Sequence, residues 1–277
     1  MNRAMKYISP VILPVLFLAC WQFSSIQIDN PIVLPKVDKV FGILVKPNMS
    51  LLSLGSLIRN TLISILRVGI GYTLAVFLAI PLGMFIGYSK TIERFLMSFL
   101  NLFRPIAPLA WVPLVLAWFG VTSLASILNI EQGKFYMLFN NIKASMLFII
   151  FIGAFFPILT NSIYGVKSVR NTLIDSALTM GANRKDIFIK VLLPASLPSV
   201  ITGLRVGLGV AWMCLVSAEM LPGSLAGIGY LITHAYTVAR TDIVIAGMIS
   251  ISFVGGLFDY MFQRIEIRFF KWQSMDK

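Results

Sequence analysis

One histidine, His234, two cysteines, Cys20 and Cys214, and 11 acids among 277 residues are the groups from which a conventional metal or acid–base site would be assembled. A zinc site of the H-E-x-x-H kind needs two histidines on one helix face and is therefore excluded. The cysteines lie far apart, each inside an apolar stretch, so they support neither a disulfide framework nor a thiolate metal site. No G-x-x-x-x-G-K-[ST] run offers backbone amides to nucleotide phosphates. No acid sits clearly in the middle of an apolar stretch, where it would relay protons. The chain thus reads as one with no catalytic site, cofactor or metal, and with its driving energy supplied from outside. The chemistry left to it lies in polar groups set among apolar ones. Arg205 and Glu219 flank Trp212, Met213 and Ser217 in one stretch, and embedded groups of this kind face a bundle interior or a path. For Arg205 the alternatives are snorkelling, pairing with a loop carboxylate such as Asp175, or facing a path; for Glu219 they are an interhelical bond or the path. His234, among Gly223, Gly227 and Gly229, reads as a local hydrogen-bond partner before a pH sensor.

The elements that must hold these groups follow from composition. Of the residues 58% are hydrophobic and 12% charged, against roughly a quarter charged in a soluble domain, and the mean hydropathy is +0.87. A water-exposed globule, a disordered chain and a disulfide scaffold are all excluded. Charge-free intervals locate the spans, because a charge at mid-bilayer costs about 2.5 to 3.5 kcal/mol. Lys6 to Asp29 encloses 22 uncharged residues, Arg67 to Lys90 another 22, Arg104 to Glu131 has 26 and Lys143 to Lys167 has 23. Each exceeds the roughly 20 residues that a crossing helix needs. A fifth interval, Leu192 to Ala218, is broken only by Arg205, and a sixth runs from Ile243 to Phe262 with Asp259 close to its end. The expected fold is all-α and polytopic, with about six transmembrane helices. The third span is irregular: apolar character begins at Phe95, Arg104 interrupts it, and Pro105, Pro108 and Pro113 follow. Val121 to Asn141 is a loop with room for a short helix. Trp21, Trp111, Trp118 and Trp272 read as interface anchors.

With both termini inside, the cytoplasmic flanks carry thirteen Lys and Arg and the outer flanks eight, Arg59 and Arg67 among the latter. This bias favours an N-in, C-in arrangement in the cell (inner) membrane. A cleaved signal peptide fits poorly, since the first apolar run is too long and no A-x-A site follows. The net charge of +12 is largely topogenic, so nucleic acid is not an expected partner.

Between the fourth and fifth spans, 167–194 is too long and too patterned for a turn. Leu173, Ala177, Leu178, Ile187, Val191 and Leu192 recur at three- and four-residue spacings, with Arg170, Asp175, Arg184, Lys185 and Asp186 on other faces. Two short helices joined at Gly181-Ala182-Asn183 are expected. Gly181 allows a positive φ there, and Pro194 and Pro198 start the next span. On pattern alone this is either an interfacial loop or a docking knuckle.

The spacing Asp175-Ser176-Ala177, three residues, Gly181, nine residues, Val191-Leu192-Leu193-Pro194 resembles the E-A-A-x3-G-x9-I-x-L-P loop of permease subunits of bacterial ABC importers. Asp replaces Glu, Ser the first Ala, and Val the Ile. Asn60-Thr61 through Arg67-Val68-Gly69, Arg104 to Pro113, Gly153 to Pro157 and Ser217-Ala218-Glu219-Met220 are similar to the branch that serves nitrate, bicarbonate, taurine and aliphatic sulfonates.

The resemblance implies a type I importer permease fold, ATP-binding ABC subunits and a solute-binding protein as partners, and no enzyme activity in this chain. It assigns Asp175, Ser176, Ala177, Gly181, Ala182, Arg184, Lys185, Asp186, Leu193 and Pro194 to a loop that docks on the ATPase. The expected organisation is a first helix and outer connection over 1–55, a permease core over 56–263 and a cytoplasmic tail over 264–277. Gly83-x3-Gly87 and Gly203-x3-Gly207, followed by Gly209, let helices approach closely, within the chain or at a dimer seam. Six helices with no second transporter half leave a path only between copies, which favours a homodimer. The rival classes are a secondary transporter or helical channel, which would carry a mid-span carboxylate or broken helices, and a membrane enzyme, which would need a reactive cluster.

Overall fold

The computed structural model describes residues 3–120, 122–130, 132–133, 136, 139–221 and 223–269, with side chains from residue 12 onward. Trp272 and the end of the expected tail lie outside the described residues. Among these residues the chain is helical, with two isolated antiparallel bridges and no strand. It forms two compact units. One takes the chain up to Ile63 with Leu225–Ser252, and the other takes Ser64–Ser224 with the chain from Phe253 onward.

The first unit holds α1 (Arg3–Ile28), α2 (Val37–Val45), the opening turns of α3 (Leu57–Tyr88), α11 (Ile228–Thr237) and the first half of α12 (Thr241–Phe269). Its core packs Val40, Ile43, Leu51 and Leu57 on Leu231, Ala235, Ile243 and Ala246. Asn60 clasps it: its amide donates to the Leu54 carbonyl at 3.1 Å, and its Oδ1 accepts from the Gly227 amide at 2.9 Å. The His234 ring stacks on Tyr230, centroids 5.9 Å apart. Trp21 donates its Nε1 proton to the Pro35 carbonyl at 3.0 Å, tying α1 to the connection that follows.

The second unit is built around α7 (Ala144–Lys167), flanked by α3 and by α10 (Leu193–Glu219). Both glycine pairs serve contacts within the chain. A Cβ on Gly83 or Gly87 would come within 2.6 Å of Ser162 or 2.8 Å of Val166, and one on Gly203 or Gly207 within 2.6 Å of Asn161 or 2.7 Å of Ile158. These backbones approach α7 from two sides at a distance that no side chain allows. Gly209, in contrast, has nothing within 4 Å of its would-be Cβ.

Four helical runs are long and apolar enough to cross a membrane: α3, α7, Arg184–Glu219 and α12. The irregular span is two pieces, α4 (Lys90–Phe103) and a short helical run from Pro108 to Phe119 that includes α5 (Val112–Phe119), bent by 81°. Pro105 and Pro108 break the hydrogen-bond ladder at the bend. Phe148 of α7 fills its inside, with ring centroids of Trp111, Trp118 and Phe119 at 6.2, 6.4 and 5.9 Å. Trp111 thus packs in the bend, whereas Trp118 stays 59% exposed. α6 (Leu124–Ile127) is the short helix of the following loop. The described apolar part of α1, Ile12–Ile28, is shorter. With the bent pair counted as one span, the described residues hold five such runs, and α1 adds a shorter apolar helix.

Two expectations need correction. Arg59 and Arg67 are not in an outer connection but within α3, whose helix begins at Leu57. Pro194 does lie in the first turn of α10, with Pro198 one turn on, but the helix does not start afresh there, because the helical run continues back to Arg184.

Candidate functional site

The segment 167–194 folds as a knuckle whose every turn has a local cause. Its first arm is α8 (Asn171–Thr179), closed by a Schellman motif. The Ala182 amide donates to the Ala177 carbonyl at 3.0 Å and the Gly181 amide to the Leu178 carbonyl at 2.9 Å. That crossed pair requires a left-handed residue, and Gly181 takes φ +83°. Asn183 opens the second arm, α9 (Arg184–Asp186), through a capping box. Its Oδ1 accepts from the Asp186 amide at 2.9 Å, and Asp186 accepts from the Asn183 amide at 3.4 Å. Lys190 sits 2.7 Å from Asp186 one turn on. Lys190 and the Asn183 amide together hold the Asp186 carboxyl below its ordinary range.

From Ile187 to Leu192 the helix widens into a π-turn before it runs into α10 without interruption. Pro194 explains the widening. It has no N–H for the Lys190 carbonyl, and its ring would clash with that group in a regular α-turn. The second arm and the span are therefore one rod.

The inner face of the knuckle is bolted to three helix ends. Ala177, Ile187 and Leu192 are buried with Met84, Val166 and Val200 from α3, α7 and α10. Phe188 stacks on Phe85 at 6.2 Å and meets Tyr88 edge-on at 5.4 Å. Lys167 and Glu93 pair between the ends of α7 and α4. The outer face is bare: Asp175, Ser176, Gly181, Arg184 and Lys185 are exposed, Ala182 and Asp186 partly so. Met180 at the tip is 82% exposed, with Leu173, Leu178 and Ile189 each at least half exposed. Behind the first arm an apolar groove of about 820 Å³ runs past Leu173, Ala177, Met180, Pro194, Ile201 and Phe269. Leu193 is half-buried against the knuckle core, while Pro194 is exposed.

On α10 the five embedded residues separate. Arg205 pairs not with Asp175 but with α12: Nε and the second guanidinium nitrogen reach the two Asp259 oxygens at 2.5 and 2.9 Å, and the third nitrogen reaches Glu266 at 3.3 Å. Trp212 is buried edge-on against Phe258. Met213 is 67% exposed, and Ser217, half-buried, donates back to the Met213 carbonyl. Glu219 is fully buried. Its Oε1 lies 2.5 Å from Arg67, also fully buried, and both its oxygens accept from the Ser64 hydroxyl at 2.8 and 2.9 Å. Arg67 gives its other N–H groups to the Asn141 carbonyl at 3.0 and 2.6 Å.

A model of the family "binding-protein-dependent transport system inner membrane component" matches residues 79–271. The chain belongs to this family. It is the membrane-spanning permease subunit of an ABC importer, with an ATP-hydrolysing subunit and a solute-binding protein as partners. A protein of Methanocaldococcus jannaschii named "putative ABC transporter permease protein" is 50% identical over 265 residues, covering 96% of this permease and 92% of that protein. The taurine transport system permease protein TauC of Escherichia coli is 30% identical over 263 residues, covering 95% and 88%. The fold is that of a chain of the MetNI methionine ABC transporter in an inward facing conformation, with a TM-score of 0.64 at 16% identity over 80% of this permease and 99% of that chain.

Sequence reasoning missed Arg67, counting it as a topogenic charge of the permease. A signal was present: Ser64 and Arg67 lie three residues apart on one helix face, in an otherwise apolar stretch. Polar residues in that register point to a buried partner.

Proposed function

We propose that this permease passes a small oxyanion of the sulfonate, nitrate or bicarbonate type. In this reading it works as a homodimer with N-in, C-in topology in the inner membrane, and the knuckle 167–194 seats on the ATPase. The substrate class rests on the likeness to the taurine permease and on the motifs shared with the nitrate, bicarbonate and sulfonate branch. The coupling role rests on one observation: an exposed apolar tip on a knuckle whose rear is bolted to the ends of three membrane helices. An exposed apolar patch on rigid support suits docking, since motion of the partner then moves whole helices and is not lost in a loop. The core domain is taken as 56–263 and the tail as 264–277. On α10, Met213 and Ser217 share the outward side with Val206 and Gly209 and face the path between copies. Trp212 and Glu219 act inside the permease, and Arg205 clamps α10 to α12.

Gly181 tests the coupling. Nothing lies within 4 Å of a Cβ placed there, so Gly181→Val strains only the local backbone, by about 1–3 kcal/mol. In the complex with ATPase and binding protein, Gly181→Val is expected to reduce uptake about tenfold with normal membrane insertion, while Gly181→Asn, which tolerates the left-handed conformation, retains most of it. Normal uptake by the valine variant would refute the coupling role.

A further inference from the structure

At the bend of the third span the structure opens a cleft of about 360 Å³, with Arg104, Gly153, Pro157, Thr160, Asn161 and Val206 among its lining. Gly153 to Asn161 is the middle of α7 and Val206 the middle of α10. Where these helices cross the membrane, the cleft therefore lies near half depth. A cation at that depth is costly unless something offsets it. Two other arginines have that offset: Arg67 meets Glu219, and Arg205 meets Asp259 and Glu266. Arg104 differs, for among the described residues its guanidinium has neither an ion pair nor a hydrogen bond.

The surroundings suit a passing anion. Arg104 caps α4 directly before Pro105, so its backbone is fixed by the bend and does not belong to a free loop. The cleft lining contains no carboxylate. Thr160 spends its hydroxyl proton on the Phe156 carbonyl, and Asn161 donates one amide hydrogen to the Pro157 carbonyl, which leaves the second for a ligand. The remaining wall is aliphatic or aromatic.

We propose that this cleft is a way station for small oxyanions, with the Arg104 guanidinium as its fork and the Asn161 amide as a second donor. The inference rests on reading the chain as a permease for such anions. One cation and one amide hold an oxyanion weakly, as a path requires, because a tight site would slow release. The planar guanidinium matches the trigonal or tetrahedral oxygens of nitrate, bicarbonate and sulfonate.

The test reads the charge of the cleft separately from transport. In protein carrying Cys20→Ser, Cys214→Ala and Val206→Cys, purified with its ATPase, the rate of thiol labelling is compared for two methanethiosulfonates of similar size. One bears a sulfonate and the other a trimethylammonium group. A unit positive charge lining the same wet cleft should favour the anionic reagent by roughly tenfold. Arg104→Gln should abolish that preference and Arg104→Lys keep most of it, with Arg104→Met as the neutral substitute if the Gln variant fails to assemble. A ratio unchanged by loss of the charge overturns the proposal. In proteoliposomes with the binding protein, taurine, nitrate and bicarbonate uptake are then measured. Whichever the unsubstituted permease carries should fall at least about fivefold in Arg104→Gln and recover only in part in Arg104→Lys, which keeps the charge but not the fork; undiminished uptake in the Gln variant also overturns it. If the unsubstituted permease carries none of the three, the substrate class fails, and the labelling ratio still decides the cleft.

Discussion

Arg67 and Glu219, 152 positions apart in sequence, meet at 2.5 Å with neither side chain exposed. The Ser64 hydroxyl and the Asn141 carbonyl add hydrogen bonds to the two sides of the ion pair. α3, α10 and the residue at the head of α7 are thereby pinned at one point. Removing one member strands a buried charge, which costs about 3–5 kcal/mol, whereas removing both leaves no buried charge unpaired. Arg67→Met and Glu219→Leu should each lower the thermal stability and yield of the purified complex markedly, and the double variant should recover much of the loss. A double variant whose loss equals the sum of the two single losses would show that the two residues act independently.

Topology has a direct readout. Single cysteines at Ser168, in the last-turn cap of α7, and at Lys36, before α2, should label with impermeant reagent from opposite faces of the membrane in a background lacking Cys20 and Cys214. Ser168 should be the cytoplasmic one. Labelling of both from the same face would overturn the N-in, C-in arrangement.

The knuckle carries a pH signature. The Asp186 carboxyl is held below its ordinary value by Lys190 and by the Asn183 amide. A carboxyl with a lowered folded pKa adds stability that is present above its unfolded value, about 3.9, and lost as pH falls through the folded one. Hydrogen exchange of the peptide spanning Asn183 to Leu192, corrected for intrinsic rates, should show constant protection from pH 7 to about 5 and a decline below about 4. Asp186→Asn should be less protected at neutral pH and lose that acid dependence. Equal protection of the variant and the unsubstituted chain at pH 7 would remove Asp186 from the cap.

The knuckle was legible in sequence because its signals are local. Gly181 at the Schellman position, Asn183 three residues before Asp186, and the spacing of Ala177, Ile187 and Leu192 each act within a turn or two. The charge-free intervals marked the spans for a similar reason, since length and hydropathy suffice. What stayed hidden depends on tertiary partners. Arg67 resembled a flank charge because its acid lies in a distant helix, and nothing near Arg205 in sequence announces Asp259. The π-turn was hidden for another reason. Pro194 read as a helix start, the commonest place for a proline, whereas the preceding helix accommodates it by widening.

The unbroken run from Arg184 to Glu219 makes α10 a lever. Its fulcrum is the stretch where Gly203 and Gly207 rest on Asn161 and Ile158. At 1.5 Å per residue the arm on the knuckle side is about 32 Å and the arm toward Glu219 about 21 Å. A rocking movement that carries the tip about 3 Å one way would therefore carry the Glu219 end about 2 Å the opposite way. Work done on one end of the molecule would reach the other through a single stiff beam, reversed in direction and somewhat reduced in stroke.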